Sequence, residues 1–192
     1  VVIKPSEFTP MTAIALCEAL IDGGIAPTLL GLVHGAGGEV GPLLLADPRI
    51  AFYAFTGSTR VGREIQRAAG LRRTQLELGS IASTIVCADA DLDKAVSKIV
   101  GAGFRKAGQV CTSVQRLHVE RGVLDAFTTK LLDALHAMPF GDPADPATVI
   151  GPRISRAHAE RACAWVADAV AAGARVLTGG QCEGAVMAPT VL

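Results

Sequence analysis

The sequence predicts an α/β protein whose β-strands are mainly parallel. Short apolar runs rich in β-branched residues alternate with longer amphipathic stretches along the 192 residues, and turn residues separate the two kinds of segment. The strand–helix–strand order repeats. Units of this kind place successive strands parallel to each other, with helices packed against the sheet.

The first part of the chain, residues 1–79, alternates predicted strands and helices. The strands are predicted over residues 1–4, 29–33, 50–55 and 74–78, and the helices over residues 10–22, 40–46 and 59–69. The first helix has the clearest boundaries. Thr9 is its predicted N-cap, Pro10 occupies its first position, and Gly23 and Gly24 follow its end.

The second part, residues 80–192, repeats the alternation. Strands are predicted over residues 84–87, 117–120 and 175–177, and helices over residues 92–105, 123–137 and 155–172. Between them, residues 140–152 contain three prolines and two aspartates, which is typical of a loop. We therefore expect two domains, residues 1–79 and residues 80–192.

Composition excludes two classes of partner. Eighteen basic and eighteen acidic side chains give a net charge of zero, so the sequence shows no electrostatic footprint for nucleic acid or an anionic membrane. Glycine, proline or a charged residue interrupts every apolar run before it reaches the roughly 18 residues of a spanning helix. We expect neither a nucleic acid nor a membrane partner.

Cysteine usage predicts a cytoplasmic location. The five cysteines are far apart and form no CxxC pair, which favours reduced thiols. Cys17, Cys87 and Cys163 lie within apolar runs and are expected in the core, whereas Cys182 is expected in a loop without a role. Cys111 differs from them, because it falls between a predicted helix and a predicted strand.

Cys111 and Glu77 are the candidate catalytic residues. A thiolate is a strong nucleophile at a carbonyl, and a carboxylate can activate the water that hydrolyses the resulting thioester. Glu77 ends a predicted strand between two leucines, where a carboxylate is costly to bury unless it is paired or functional. The alternative is an edge-strand glutamate that faces water.

Two strand ends carry candidate ligand-binding groups. Lys4 lies at the carboxyl end of the first strand, and Glu7 follows at a spacing that lets both side chains reach one ribose. Gly57 and Ser58 precede a helix, whose free amides and dipole can hold a pyrophosphate. The ordinary alternatives are a strand-end lysine with a capping glutamate and a simple N-cap after a tight turn.

Four segments, in this order, resemble the aldehyde dehydrogenase family. They are Lys4-Pro5-Ser6-Glu7, Phe55-Thr56-Gly57-Ser58-Thr59, Leu76-Glu77-Leu78-Gly79, and Gly108-Gln109-Val110-Cys111 with Arg116 after it. The resemblance continues to the end of the chain at Leu192. Complete members of the family are more than twice as long, so we interpret the chain as an internal fragment.

The resemblance implies a fold and a set of cofactor contacts. The fold would be a Rossmann-like, mainly parallel sheet, with the second half of an NAD-binding domain in residues 1–79 and the first part of a cysteine-bearing catalytic domain in residues 80–192. The implied cofactor-binding residues are Lys4, Ser6, Glu7, Gly37, Gly41, Thr56, Gly57, Ser58, Leu78 and Gly79. Because the Glu7 carboxylate would repel a 2′-phosphate, NAD is expected, with NADP as the alternative.

The resemblance also implies a reaction. Cys111 would add to an aldehyde, hydride would pass to the cofactor, and Glu77 would activate water to release a carboxylic acid from the thioester. Thr112 and Ser113 would line the substrate side. No metal is implied, and the whole protein is expected to be a homo-oligomer. Family members take an oxyanion-hole asparagine from a segment upstream of Lys4, and losing one such donor costs roughly 100- to 1,000-fold in rate, so the fragment alone should be nearly inactive.

Three alternatives stay open. A CoA-acylating enzyme would use the same cysteine but typically lacks the base, so Glu77 argues against it. A non-catalytic member of the same fold is favoured by Ser80, which stands where the family usually has glycine. A cysteine hydrolase would need a histidine partner. None of His34, His118, His136 and His158 is convincingly spaced for Cys111.

Overall fold

Strand pairing in the computed structural model, which describes residues 1–192, is mainly parallel. Of the four two-stranded sheets, three are parallel and one is antiparallel. The predicted α/β class is therefore confirmed. Chain contacts divide the molecule into unit 1, Val1–Gly79, and unit 2, Ser80–Leu192. The assignment of these units to a cofactor domain and a catalytic domain stays a prediction.

Unit 1 contains four strands and three helices. They are β1 (Val2–Ile3), α1 (Pro10–Asp22), β2 (Gly31–Leu32), α2 (Gly37–Ala46), β3 (Phe52–Thr56), α3 (Thr59–Ala69) and β4 (Arg73–Glu77). Strand β1 pairs with β2, and β3 pairs with β4. The observed bounds of α1 and α3 equal the predicted ones, because Pro10 marks the start of α1, the Ser58 cap marks the start of α3, and glycine follows the end of each helix.

Three features of unit 1 differ from the prediction. Helix α2 begins at Gly37 rather than residue 40, because glycine tolerates the first turn and Glu39 complements the helix dipole there. Strand β2 is short, since Pro27–Leu29 forms a 3-10 turn. Thr9 is the N-cap of α1 by position, but its side chain caps no amide.

Unit 2 contains four strands and three helices. They are β5 (Ala82–Val86), α4 (Leu92–Phe104), β6 (Val114–Val119), α5 (Leu124–His136), α6 (Arg156–Ala171), β7 (Cys182–Glu183) and β8 (Val186–Met187). Strands β5 and β6 are parallel, with a register shift between Ala82 and Ser83. Strands β7 and β8 form an antiparallel hairpin.

The core of unit 2 lies between α4, α5 and strand β5. Its members recur every three or four residues along each helix, so each helix presents one apolar stripe. They are Val86, Val96, Ile99, Val100, Phe127, Leu131 and Leu135. Phe127 is the largest and is only 1% exposed.

The end of unit 2 was predicted wrongly. Residues 175–177 form no strand; instead the amides of Leu177 and Thr178 both donate to the carbonyl of Val191. The β7–β8 hairpin was missed because its turn, at Gly184, lacks the Asn-Gly or Asp-Gly pair that signals a hairpin in a sequence.

The cysteines follow the prediction only in part. Cys17 is buried and Cys163 is half-buried, but Cys87 is exposed, since it continues the open face of β5 beyond the buried Val86. Cys182 lies in β7 rather than in a loop. No helix of the structure combines the length and apolarity that crossing a membrane requires.

Candidate active site

The end of β1 forms a charged cluster with the start of α2. Lys4 is 16% exposed, and its Nζ donates to the carbonyl of Gly35 at 2.9 Å. The same Nζ lies 3.7 Å from Glu7 Oε2, while Glu7 Oε1 accepts a hydrogen bond from the Gly37 amide at 3.5 Å. Three residues predicted to bind the cofactor, Lys4, Glu7 and Gly37, are therefore brought together within unit 1.

The Glu7 carboxylate is held in its charged form. Hydrogen bonds from its own amide and from the Gly37 amide, followed by the charge of Lys4, lower the pKa of Glu7 below its ordinary value. Glu7 is therefore a carboxylate at neutral pH, with its oxygens able to accept hydrogen bonds.

The remaining predicted residues of this cluster have different surroundings. Ser6 shapes the turn after β1, because its Oγ accepts from the Phe8 amide at 3.3 Å and its carbonyl accepts from the Thr9 amide at 3.2 Å. Gly37 and Gly41 both lie in α2, and a Cβ added at either position would meet no atom within 4 Å. Packing in unit 1 does not require glycine at these two positions, so the surface there is open to an approaching ligand.

The carboxyl ends of β3 and β4 lie side by side. Thr56 is directly opposite Glu77 in the parallel register, and the Gly57 amide donates to the Glu77 carbonyl at 3.0 Å. Two of the four segments that carry the family resemblance are thus joined. The side chain of Glu77 is exposed, so the water-facing alternative describes its position in unit 1.

The start of α3 is capped and faces solvent. Ser58 Oγ accepts from the Val61 amide at 3.3 Å, as an N-cap does. The Gly57 amide donates to the Glu77 carbonyl, so it is not one of the free amides expected at this helix start. Helix geometry instead leaves the first-turn amides of Thr59 and Arg60 without an intrahelical acceptor. These amides and the helix dipole can hold a phosphate.

Gly62 lies against Leu78, one of the predicted cofactor-binding residues, and the sequence analysis did not single it out. It is buried in α3, and a Cβ at this position would lie 2.4 Å from Leu78 Cδ2. Leu78 therefore packs onto the helix. Gly79 also approaches α3, since its added Cβ would lie 3.4 Å from Thr59 Oγ1. The sequence does contain a signal for this contact. A glycine inside a helix costs about 1 kcal/mol relative to alanine, so its presence there indicates a packing requirement.

In unit 2, an unusual turn leads from α4 to Cys111. Lys106, Ala107 and Gly108 have φ angles of 52°, 56° and 71°, which are three successive left-handed conformations. Each non-glycine residue in this region costs roughly 1–2 kcal/mol. Cys111 follows two residues after Gln109 and is exposed, as expected for a residue between a helix and a strand.

Ser113 does not line a substrate surface, contrary to the prediction. It is 1% exposed, and its Oγ has no hydrogen-bond partner, whereas Thr112 is exposed. The Ser113 amide donates to the Val110 carbonyl at 3.0 Å, and this turn directs the serine inward just before β6 begins. Of the two residues, only Thr112 is placed to contact a ligand.

The structure offers no support for a histidine-assisted hydrolase. His136 Nε2 lies 3.3 Å from Thr178 Oγ1, and His158 Nδ1 lies 2.8 Å from Ser155 Oγ, so both rings contact other groups. His118 is exposed on β6, and His34 is exposed in unit 1. No group of three or more His, Cys, Asp or Glu side chains is placed to hold a metal ion.

Comparison with known proteins identifies the family. Residues 1–192 match the model of the aldehyde dehydrogenase family, and the chain belongs to this family. It is 44% identical over 192 residues to a 3-sulfolactaldehyde dehydrogenase of Priestia megaterium, a match covering 100% of this chain and 40% of that protein. The resemblance inferred from the four segments is confirmed.

Solved structures agree. An NAD-dependent aldehyde dehydrogenase from Sinorhizobium meliloti matches with a TM-score of 0.94 and 42% identity, covering 99% of this chain and 39% of that chain. An NADP-dependent enzyme of E. coli matches with a TM-score of 0.94 and 39% identity, covering 98% of this chain and 40% of that chain. The chain thus spans about 40% of the length of the curated relatives it matches.

Proposed function

We propose that the protein oxidises an aldehyde to a carboxylic acid with NAD, NADP being the alternative cofactor. The observation that carries the proposal is the exposed Cys111 at the end of the left-handed turn, in a chain that belongs to the aldehyde dehydrogenase family. In this proposal unit 1 binds the cofactor and supplies the base Glu77, and unit 2 supplies the nucleophile.

Cys111 starts the reaction. Its Sγ, as thiolate, forms a bond to the aldehyde carbon, and the carbonyl oxygen becomes the oxyanion of a thiohemiacetal. The backbone amide of Cys111 is a donor close to the position where this charge develops. Exposure of Cys111 lets a small aldehyde reach the sulfur.

The groups of unit 1 fit a dinucleotide. Lys4 and Glu7 offer a donor and an acceptor for ribose hydroxyls, and the free amides at the start of α3 suit a pyrophosphate. A bound NAD would supply the hydride acceptor, and loss of the hydride from the thiohemiacetal carbon would leave a thioester on Cys111. The charged Glu7 disfavours a 2′-phosphate. We expect Glu7→Gln to raise the preference for NADP, read as the ratio of kcat/KM for the two cofactors.

Glu77 completes the cycle as a general base. Its exposed carboxylate takes a proton from water, the hydroxide attacks the thioester carbon, and the Cys111 sulfur leaves as thiolate. A CoA-acylating enzyme would release the thioester to coenzyme A instead. The presence of Glu77 favours hydrolysis over that alternative.

We further propose that the intact protein is cytoplasmic and forms a homo-oligomer. The absence of disulfides among the five cysteines agrees with a reducing compartment, and family resemblance supports assembly. Light scattering coupled to gel filtration tests the assembly, because a monomeric mass would contradict it.

The test of the function is NADH formation by the intact protein with a panel of aldehydes. We would assay 3-sulfolactaldehyde first, since a relative at 44% identity is named for it. Cys111→Ala is expected to lower kcat by at least ~1,000-fold. Glu77→Gln is expected to form one NADH per site rapidly and then to turn over slowly, because the acyl-enzyme accumulates when its hydrolysis is slow.

A matched control is Cys87→Ala, which removes another exposed thiol of unit 2 and should retain wild-type activity. Absence of NADH formation across the whole panel would favour the non-catalytic alternative. A steady product that depends on coenzyme A would favour the acylating alternative.

A further inference from the structure

The side chain of Gln109 joins two segments that are far apart in the sequence. Its Nε2 donates to the Lys106 carbonyl at 3.0 Å, and its Oε1 accepts from the Ile154 amide at 2.9 Å, across 45 residues. The amide group is thus used on both sides, as a donor toward the left-handed turn and as an acceptor toward residue 154.

The contact with Lys106 closes the left-handed turn. The backbone amide of Gln109 also donates to the Lys106 carbonyl, at 3.1 Å, so this carbonyl accepts two hydrogen bonds from one residue. Lys106 and Ala107 are in a conformation that non-glycine residues rarely adopt. Such a conformation persists only when surrounding contacts hold it, and the Gln109 amide supplies one of those contacts.

The contact with Ile154 ends on a well-anchored segment. On one side, the Arg153 amide donates to the Ala185 carbonyl at 2.8 Å, in the hairpin turn between β7 and β8. On the other side, Ser155 is the N-cap of α6 and its Oγ accepts from the His158 amide. Residue 154 therefore lies between two residues that are each held by a hydrogen bond to a helix or a hairpin.

We propose that Gln109 is a positioning residue that fixes the Cys111 nucleophile by tying its loop to residue 154. The inference rests on the proposed function, in which Cys111 attacks the aldehyde. Cys111 lies two residues beyond Gln109 and is exposed, so few other contacts restrict it. A displacement of about 1 Å at a reacting atom can lower the rate ~100-fold, so the tether directly affects the chemical step.

The experiment compares three variants of the intact protein. Gln109→Met keeps the length of the side chain and removes both hydrogen bonds. Gln109→Glu keeps the acceptor for the Ile154 amide and removes the donor to Lys106. Gln115→Met is the matched control, because Gln115 is an exposed residue of β6 in the same unit and makes no side-chain hydrogen bond.

Gln109→Met is expected to speed hydrogen exchange at the Ile154 amide and to lower kcat at least ~10-fold, with the aldehyde KM changed less than ~3-fold. Gln109→Glu should keep the Ile154 amide protected and show an intermediate kcat, which is the rescue that a specific tether predicts. Gln115→Met should equal wild type. Wild-type kcat in Gln109→Met, despite a deprotected Ile154 amide, would overturn the inference.

A reaction that requires no turnover separates this inference from the proposed function. The rate of Cys111 alkylation by iodoacetamide, measured against pH, is expected to fall in Gln109→Met and to stay unchanged in Gln115→Met. If wild type oxidises no aldehyde, the proposed function fails. The alkylation rates would still show whether Gln109 positions Cys111. Equal alkylation in wild type and Gln109→Met would overturn the inference. If Gln109→Met does not fold, Gln109→Lys, which keeps a donor toward Lys106 but has no acceptor for the Ile154 amide, answers the same question.

Discussion

The two units hold their helices in place by different means. In unit 2, α4 and α5 bury apolar side chains against each other, with Phe127 at the centre. In unit 1, buried apolar residues are few: Cys17, Ile65 and Ala69. A single guanidinium, that of Arg72, binds several chain segments there instead.

Arg72 collects hydrogen-bond acceptors from the ends of two helices. Its donors reach the carbonyls of Leu45, Asp47, Ile50, Ala68 and Ala69 and the hydroxyl of Tyr53, the last at 2.6 Å. Its guanidinium also lies 4.9 Å from the centre of the Tyr53 ring. These carbonyls include ones at the carboxyl ends of α2 and α3, which have no intrahelical partner.

These two means of stabilisation predict how each unit responds to substitution. Apolar burial is non-directional, so its loss scales with the volume removed. Hydrogen bonds from one guanidinium are directional, so a substitution that preserves charge but alters geometry still breaks them. The two units should therefore respond differently to conservative substitutions.

The largest expected effect is in the apolar core of unit 2. Phe127→Ala should lower the free energy of unfolding by about 3–5 kcal/mol, because it leaves a cavity between α4 and α5. Urea denaturation measures this change. Phe140→Ala, at a residue 48% exposed in the same unit, is the control and should cost much less. Equal costs for the two variants would show that Phe127 is not central to the core.

The next effect concerns the hydrogen-bonded centre of unit 1. Arg72→Met should cost about 2–3 kcal/mol, because several carbonyls lose their donor, and Arg72→Lys should recover little of it because an ammonium cannot span them. Arg67→Met, at an exposed arginine of α3, is the control and should change stability by less than about 0.5 kcal/mol. Full recovery by lysine would show that charge alone matters.

A smaller effect of opposite sign is expected in the turn before Cys111. Ala107→Gly should stabilise the protein by about 1 kcal/mol, because glycine adopts the left-handed conformation without a Cβ penalty. Ala95→Gly in the interior of α4 is the matched control and should destabilise it by about 0.5–1 kcal/mol. Thermal unfolding of both variants measures whether each substitution raises or lowers the stability. A loss of stability in both variants would contradict the claim that Ala107 is strained.

The smallest expected effect is a pH dependence that involves Cys163 of α6. Burial, followed by a hydrogen bond with Cys182, raises the pKa of the Cys163 thiol from 9.0 to about 11. The folded state therefore keeps this proton longer than the unfolded state, so its contribution to stability is complete below pH 9 and is lost as the pH rises toward 11. In Cys163→Ala the stability should fall less steeply across this range. An identical slope in the variant would refute the assignment.

The sequence predicted best those helices whose start and end signals lie within a few residues of the helix itself. Helix α3 begins after the Ser58 cap and ends before Gly70, and both signals are within one turn of the helix. Helix α2 was predicted too short because Gly37 and Gly38 are helix breakers only on average. The β7–β8 hairpin was missed because only pairing stabilises strands of two residues.

The expected exposure of two residues near the candidate site was right for Cys111 and wrong for Ser113. The exposure of Cys111 follows from its place between a helix and a strand. The inward turn of Ser113, by contrast, depends on a bond to Val110 and on the start of β6, which residue types alone do not reveal. The contact of Leu78 with Gly62 likewise requires the chain to return from β4 onto α3.

The sequence by itself determined the α/β class, the parallel pairing and the family, and it placed Cys111 between a helix and a strand, because periodicity, caps and contiguous motifs are encoded within a few residues. Only the tertiary structure decided that Arg72 binds two helix ends and that Gln109 reaches the Ile154 amide 45 residues away. Such contacts depend on the path of the whole chain. The residue type fixes which hydrogen bonds a side chain can make, but the fold decides which backbone groups lie within hydrogen-bonding distance of it.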